Sequence, residues 1–155
     1  MSIKLLAMDV DGTMTDGKIY IGPSGEAMKA FNVKDGQGIS MLHKAGIMTA
    51  IITARESAIV AYRAKELGIR EVHQGKGDKL EVIREIAGRL NLSPAEIAYI
   101  GDDVTDIPAL RFAGRSFCPA DSVPEVKQVA GTILPSEGGE GAVRDAAEIL
   151  LAIAE

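Results

Sequence analysis

Two aspartates, Asp9 and Asp11, stand at the end of the apolar run at residues 3–10 and are followed by Gly12 and Thr13. Side chains at positions i and i+2 of a strand point to the same side, so both carboxyl groups are expected to face one pocket. Paired carboxylates of this kind can bind a metal ion or act as nucleophile and acid or base. An isolated Asp-x-Asp-Gly sequence is equally typical of a turn that ends a strand.

A second acidic group, at residues 101–106, follows the apolar run at residues 97–100 and contains Asp102, Asp103 and Asp106. If it faces the same pocket, carboxylates would repel one another unless a cation or a proton lay between them. Oxygen ligands favour a hard divalent ion, so a Mg²⁺ site is predicted. The alternative is that Asp102 or Asp103 only caps the next helix. Asp103 and Asp106 are candidates for residues that orient the metal ligands without binding the metal.

Thr53 ends the apolar run at residues 47–53, and Lys79 begins a helical pattern after the Gly-rich residues 75–78. A hydroxyl and an ammonium group suit a phosphoryl group, which offers acceptor oxygens and negative charge. Each residue alone is more typical of a structural threonine or a solvated lysine. The order of aspartate pair, threonine, lysine and aspartate group along the chain favours a site that transfers phosphoryl groups.

Strand-like and helix-like segments alternate along the chain. Apolar runs that end at polar or glycine clusters predict strands at residues 3–10, 47–53, 71–74, 97–101, 115–118 and 131–134. Helical spacing of apolar residues predicts helices at residues 36–44, 57–67, 79–90, 105–113 and 142–153, and more weakly at 123–130. The pattern indicates an α/β Rossmann-like fold, a parallel sheet with helices on both faces. Ligands bind such sheets at the carboxyl ends of the strands, where the polar groups described above are expected.

Residues 17–33 break the alternation, because strand-like runs at residues 18–21 and 27–33 flank the turn-rich residues 22–25. We interpret this insert as a β-hairpin. Too few residues separate the first two core strands for a separate cap domain, so residues 1–155 are interpreted as one domain.

Composition excludes several functional classes. The formal charge is −5 and the basic residues are scattered, so nucleic acid is not expected as a partner. Cys118 is the only cysteine, which excludes an intrachain disulfide and fits a reducing compartment. The N-terminal apolar run is too short for a signal peptide or a membrane span, so no membrane association and a cytoplasmic location are predicted.

In motif order the sequence resembles the haloacid dehalogenase superfamily. The four motifs of that superfamily are matched by Asp9-x-Asp11-Gly12-Thr13, Thr53, Lys79 and Gly101-Asp102-Asp103-x-x-Asp106. The resemblance implies an aspartyl-phosphate mechanism in which Asp9 is the nucleophile and a Mg²⁺ ligand. Asp11 would donate its backbone carbonyl to the metal and act as general acid and base, and Asp102 would be the other carboxylate ligand. Thr53 and Lys79 would hold the phosphoryl group.

Within the superfamily, the chain is most similar to the short capless 3-deoxy-D-manno-octulosonate 8-phosphate phosphatases. The similarity lies in the hairpin, residues 31–38, Gln74-Gly75 and residues 138–144. It implies an enzyme of lipopolysaccharide precursor synthesis that binds a sugar phosphate, with Arg55, Gly139 and Arg144 as further substrate contacts. The alternative for Arg55 is a salt bridge at the surface or between subunits. Ala54 and Glu140 depart from the usual pattern of the group. Related nonulosonate 9-phosphate phosphatases can have an acidic residue at the position of Glu140, so they are the alternative. They typically also have an acidic residue at the position of Arg55, which favours the eight-carbon sugar acid for this chain.

The resemblance also implies a homotetramer joined through the hairpin at residues 18–32. A neighbour's C-terminal tail, residues 136–155, would then close the active site, which lacks a cap. The alternative is that the tail is an ordinary loop and helix on its own subunit. Functions of another class are a phosphoreceiver domain and a non-catalytic tetramerising domain. Asp11 and the intact motifs argue against both.

Overall fold

The computed structural model describes residues 2–154 and contains a six-stranded parallel sheet with a small antiparallel hairpin. The strands are β1 Leu5–Met8, β2 Tyr20–Gly22, β3 Gly25–Met28, β4 Met48–Ile52, β5 Glu71–His73, β6 Ile97–Ile100, β7 Arg115–Cys118 and β8 Thr132–Ile133. The α-helices are α1 Val33–Lys44, α2 Ala58–Leu67, α3 Lys79–Arg89, α4 Ile107–Phe112, α5 Pro124–Val129 and α6 Ala142–Ile153. Two short 3₁₀ helices are formed by Pro94–Glu96 and Val104–Asp106.

The central strand, β1, lies between β4 and β6 in a sheet of order β5-β4-β1-β6-β7-β8. In the parallel register Leu5 is opposite Met48 on one side and Ile97 on the other. Every residue of β1 and β6 is buried, because helices α1, α2 and α6 cover one face of the sheet and α3, α4 and α5 cover the other. The α/β fold predicted from the sequence is confirmed.

Helices α1, α2 and α3 start where polar side chains satisfy free backbone N–H groups. The Asn32 side chain accepts from Lys34 N at 2.8 Å, Ser57 accepts from Val60 N at 3.3 Å, and Asp78 accepts from Glu81 N at 3.0 Å. The Asn32 cap explains why α1 begins at residue 33, three residues before the predicted start.

The boundaries of two other predicted elements also differ. The second hairpin strand was predicted over residues 27–33, but β3 ends at Met28 because the chain must leave the hairpin to reach the Asn32 cap. The predicted helix at residues 105–113 is divided between the 3₁₀ helix Val104–Asp106 and α4. Its beginning is held by side-chain bonds of Asp103 and Asp106 rather than by an α-helical turn.

The hairpin formed by β2 and β3 exposes apolar side chains to solvent. Ile21 is 77% exposed, and Tyr20 and Met28 on the paired strands are exposed too. A two-stranded ribbon with such a surface is marginal in water on its own. Within residues 2–154, no helix has both the length and the apolarity needed to span a bilayer.

Candidate active site

Three carboxylates meet at the carboxyl edge of the sheet. Asp9 follows β1, and Asp102 and Asp106 follow the neighbouring strand β6. One oxygen from each of them lies within 4.8 Å of the other two. The expectation that the two acidic groups share one pocket agrees with this geometry, because neighbouring parallel strands end at the same edge.

Gly12 is needed where the loop after β1 passes Asp102. Its φ of +91° lies in the left-handed region, and a Cβ at this position would be 1.9 Å from Asp102 Oδ2. The Thr13 hydroxyl donates to Asp102 Oδ1 at 3.3 Å, and Gly12 N donates to the Thr15 hydroxyl at 3.2 Å. The glycine of the first motif therefore lets the two acidic loops approach each other.

Lys79 supplies the positive charge of this cluster from the first residue of α3. Its Nζ donates to Asp9 Oδ1 at 2.9 Å and to Asp106 Oδ1 at 2.8 Å, and its side chain is 2% exposed. Burial alone would lower the pKa of Lys79, but the charges and hydrogen bonds of the two aspartates raise it above the ordinary value. Lys79 is therefore a buried ammonium group that offsets the charge of Asp9.

Asp106 has its acceptor positions engaged by the protein. Its Oδ1 accepts from the Tyr99 hydroxyl at 2.6 Å as well as from Lys79. Its Oδ2 accepts from the backbone N–H groups of Asp102 and Asp103 at 3.0 and 3.2 Å. This pattern fits a residue that orients Lys79 and the Asp102 loop rather than a metal ligand.

Asp9 and Asp102 are the carboxylates best placed to hold a divalent cation. Burial raises the pKa of both, and the negative charge of Asp106 raises that of Asp9 further, while the hydrogen bond and charge of Asp9 raise that of Asp102. Asp9 is buried and Asp102 is half-buried, and two such carboxylates in contact favour sharing a proton unless a cation stabilises both charges. The donors are oxygens, which fit Mg²⁺ or a similar hard ion. Asp103 differs from them, because it is exposed and its Oδ1 accepts from Val104 N at 2.7 Å as a helix cap.

Thr53 and Arg55 reach the same edge of the sheet from the end of β4. The buried Thr53 donates its backbone N–H to His73 O at 2.9 Å and accepts from Lys76 N at 3.1 Å. These bonds hold the loop after β4 against the loop that leads to Lys79. The Arg55 side chain is 49% exposed, with Nε 3.9 Å from Asp11 Oδ2.

Lys29 is a residue near the site that the sequence did not predict. It lies just after β3, and its Nζ donates to Asp11 Oδ1 at 2.6 Å and to Glu26 Oε2 at 3.0 Å. Burial alone would lower the pKa of Lys29, but these two carboxylates raise it. No local pattern indicates the contact, because a lysine in a hairpin usually faces solvent.

Gly139 and Arg144 have contacts elsewhere in the described chain. Gly139 N donates to Thr13 O at 3.2 Å, its carbonyl accepts from the Asn32 side chain at 3.2 Å, and a Cβ there would lie 2.6 Å from Asp16 N. Gly139 thus packs on the loop after β1 of its own chain. Arg144, on α6, donates its backbone N–H to Asp35 Oδ1 at 3.0 Å and its Nε to Glu148 at 2.9 Å. A contact of Gly139 or Arg144 with substrate stays a prediction.

Comparison with known proteins identifies the family. The haloacid dehalogenase-like hydrolase family matches residues 28–114. The 3-deoxy-D-manno-octulosonate 8-phosphate phosphatase KdsC of Yersinia pestis is 43% identical over 150 residues, which cover 97% of this chain and 80% of that protein. The chain belongs to the haloacid dehalogenase-like hydrolases.

Solved structures of related hydrolases have the same fold. A 3-deoxy-D-manno-octulosonate 8-phosphate phosphatase from Moraxella catarrhalis, in complex with a magnesium ion, a phosphate ion and a KDO molecule, superposes with a TM-score of 0.94 and 43% identity, covering 97% of this chain and 86% of that one. The cobalt-bound enzyme from Haemophilus influenzae superposes with a TM-score of 0.95 and 38% identity, covering 97% and 88%. The haloacid dehalogenase-like hydrolase described here therefore shares its architecture with metal-bound relatives.

Proposed function

We propose that this chain is a Mg²⁺-dependent phosphatase that releases phosphate from 3-deoxy-D-manno-octulosonate 8-phosphate in lipopolysaccharide precursor synthesis. The observation that carries the phosphatase activity is the buried contact of Lys79 with Asp9 beside Asp102. The choice of sugar is supported by the 43% identity to the Yersinia pestis enzyme over nearly the whole chain.

The reaction is proposed to start with attack of the Asp9 carboxylate on phosphorus, which breaks the bond to the ester oxygen. Lys79 and Thr53 hold the phosphoryl oxygens, and Lys79 reduces the repulsion between two anions. Mg²⁺, held by Asp9, Asp102 and the backbone carbonyl of Asp11, would supply further positive charge.

Asp11 is proposed to move the protons of both steps. It first gives a proton to the leaving alkoxide, and it then takes one from the water that attacks the aspartyl phosphate. That second attack breaks the bond between phosphorus and Asp9 and releases inorganic phosphate. Because one residue serves both steps, its carboxyl group must stay close to the scissile bond throughout.

Phosphate release from purified protein tests this function. We expect turnover of 3-deoxy-D-manno-octulosonate 8-phosphate with Mg²⁺, loss of turnover in excess EDTA, and recovery when Mg²⁺ is restored, because the cluster needs a cation to keep its carboxylates ionised. A nonulosonate 9-phosphate and p-nitrophenyl phosphate serve as comparison substrates. A higher kcat/KM for the nine-carbon ester would contradict the proposed substrate, and no turnover of any ester would contradict the phosphatase.

We also propose a homotetramer joined through the hairpin, supported by the exposed apolar side chains of β2 and β3. Sedimentation should report four subunits for the wild-type protein, and Ile21→Asp should give smaller species, since it places a charge on the most exposed apolar residue of the hairpin. Ile133→Asp is the matched control, because Ile133 is 49% exposed on β8, outside both the hairpin and the C-terminal tail. A wild-type monomer at micromolar concentration would contradict the proposal.

Removal of residues 136–155 would not test whether a neighbour's tail closes the active site. Helix α6 buries five of its residues against the rest of the chain, so the deletion would unfold the protein. The contacts of Gly139 instead support the interpretation that this part of the tail belongs to its own subunit.

We also propose a cytoplasmic location, supported by the sequence.

A further inference from the structure

A chain of partly buried polar contacts connects the hairpin to Asp11. Gln74 Oε1 accepts from the Ser57 backbone N–H at 2.7 Å, and the Ser57 hydroxyl donates to Glu26 Oε1. The other oxygen of Glu26 accepts from Lys29 at 3.0 Å, and Lys29 donates to Asp11 Oδ1 at 2.6 Å. The first contact joins the N-cap of α2 to the loop after β5, and the second joins the same N-cap to β3. The third lies within the hairpin, and the last joins the residue after β3 to the loop after β1.

The position of Lys29 is unusual for a lysine of a two-stranded hairpin. Its side chain is 1% exposed, although Ile21 and Met28 of the same hairpin are largely exposed. An ammonium group is removed from water only where charged partners replace its hydration, and here Asp11 and Glu26 do so. Ile21 and Met28 of the hairpin thus face outwards, while its one buried cation faces Asp11.

The contact divides the work of the two Asp11 oxygens. Lys29 donates to Oδ1, whereas Arg55 Nε lies 3.9 Å from Oδ2, which is beyond hydrogen-bond distance. A short charge-assisted bond restricts rotation of a carboxyl group. Asp11 therefore presents Oδ2 as the oxygen that is free to exchange a proton.

We propose that Lys29 is a positioning residue that fixes the carboxyl group of Asp11 so that Oδ2 gives and takes the proton. The inference rests on the proposed function, in which Asp11 is the general acid and base. Lys29 exchanges no proton itself: the proton on Oδ2 goes to the leaving oxygen, and Oδ2 later accepts one from the attacking water. Glu26 and Ser57 support the position of Lys29, so the hairpin is part of the catalytic geometry.

The test compares two esters whose leaving groups differ in their need for a proton. p-Nitrophenolate is a weak base and leaves without protonation, whereas phenolate is a stronger base and gains more from a general acid. In Lys29→Met the ratio of kcat/KM for p-nitrophenyl phosphate to that for phenyl phosphate should rise about tenfold over wild type, since general acid catalysis contributes a factor of this size or more. The ratio does not depend on the fraction of protein that is folded.

Three further variants complete the experiment. Lys29→Arg keeps a donor for Asp11 and should return the ratio to within about threefold of wild type. Glu26→Gln should raise the ratio in the same direction but less than Lys29→Met, because Lys29 keeps its contact with Asp11. Lys65→Met, which removes an exposed lysine of α2, should leave the ratio unchanged.

The outcomes separate the two proposals. A wild-type ratio in Lys29→Met, with kcat/KM lowered equally for both esters or unchanged, would show that Lys29 has a structural role only and overturn the inference while the phosphatase stands. Lack of turnover of both esters by the wild-type protein would overturn the phosphatase and the role of Lys29 with it.

Discussion

Asp9→Asn should fold and lose at least about 10⁴-fold in kcat on any phosphate ester, because an amide is neither an adequate nucleophile nor an anionic metal ligand. The substitution should be tolerated structurally. It removes one charge from a buried group of three carboxylates, and Lys79 keeps its bond of 2.8 Å to Asp106. Steady-state phosphate release measures the loss, and far-UV circular dichroism checks the fold.

Asp16→Asn is the matched control for this variant. Asp16 belongs to the same loop but is exposed, and its Oδ1 accepts from Lys18 N at 2.9 Å, a bond that an asparagine can keep. Its kcat should stay within a few-fold of the wild-type value. Substantial turnover by a pure Asp9→Asn sample, free of deamidated protein by mass spectrometry, would exclude Asp9 as the nucleophile.

Lys79→Ala should lower both activity and stability. The substitution leaves Asp9 and Asp106 buried without the ammonium group that they share, and removal of one partner from a buried ion pair typically costs about 3–5 kcal/mol. Turnover should fall at least about 10³-fold, because the repulsion between Asp9 and the phosphoryl group is no longer offset at that point. Urea unfolding and phosphate release measure the two effects.

The double variant Lys79→Ala/Asp106→Asn separates them. Removing a charge from Asp106 relieves part of the uncompensated burial, so this variant should regain stability over Lys79→Ala and remain inactive. Wild-type stability in Lys79→Ala would mean that the buried contact does not hold the cluster together. Wild-type turnover in it would remove Lys79 from the proposed mechanism.

The order of elements was predictable because strands buried on both faces are continuous apolar runs, while the helices between them keep the helical period. Residues 115–118 and 142–153 were predicted with the bounds that the structure has. The hairpin was harder to delimit. The predicted strand 27–33 has apolar residues up to Val33, interrupted by Lys29 and Asn32, and only the Asn32 cap shows where α1 begins.

The candidate site was predictable to the extent that each residue follows the end of its own strand or begins its own helix. Asp9, Thr53, Lys79 and Asp102 meet this condition, and one sheet edge brings them together. Lys29 does not, because its partner Asp11 is reached through the folded-back hairpin. Gly139 shows another limit: the sequence does not indicate that it lies against the loop after β1, where a Cβ would be 2.6 Å from Asp16 N. Its contact with substrate stays a prediction.

The central position of β1 has a consequence for synthesis of the chain on the ribosome. One edge of this strand pairs with β6, so the hydrogen bonds along that edge of β1 cannot form until Ile97, opposite Leu5, has been synthesised. The loop that carries Asp9 is completed later still, since Gly139 N donates a hydrogen bond to Thr13 O. Contacts of such sequence separation form slowly and leave apolar strand edges open meanwhile. We therefore expect nascent chains stalled before residue 97 to depend on chaperones, and catalytic competence to appear only once nearly the whole polypeptide has left the exit tunnel.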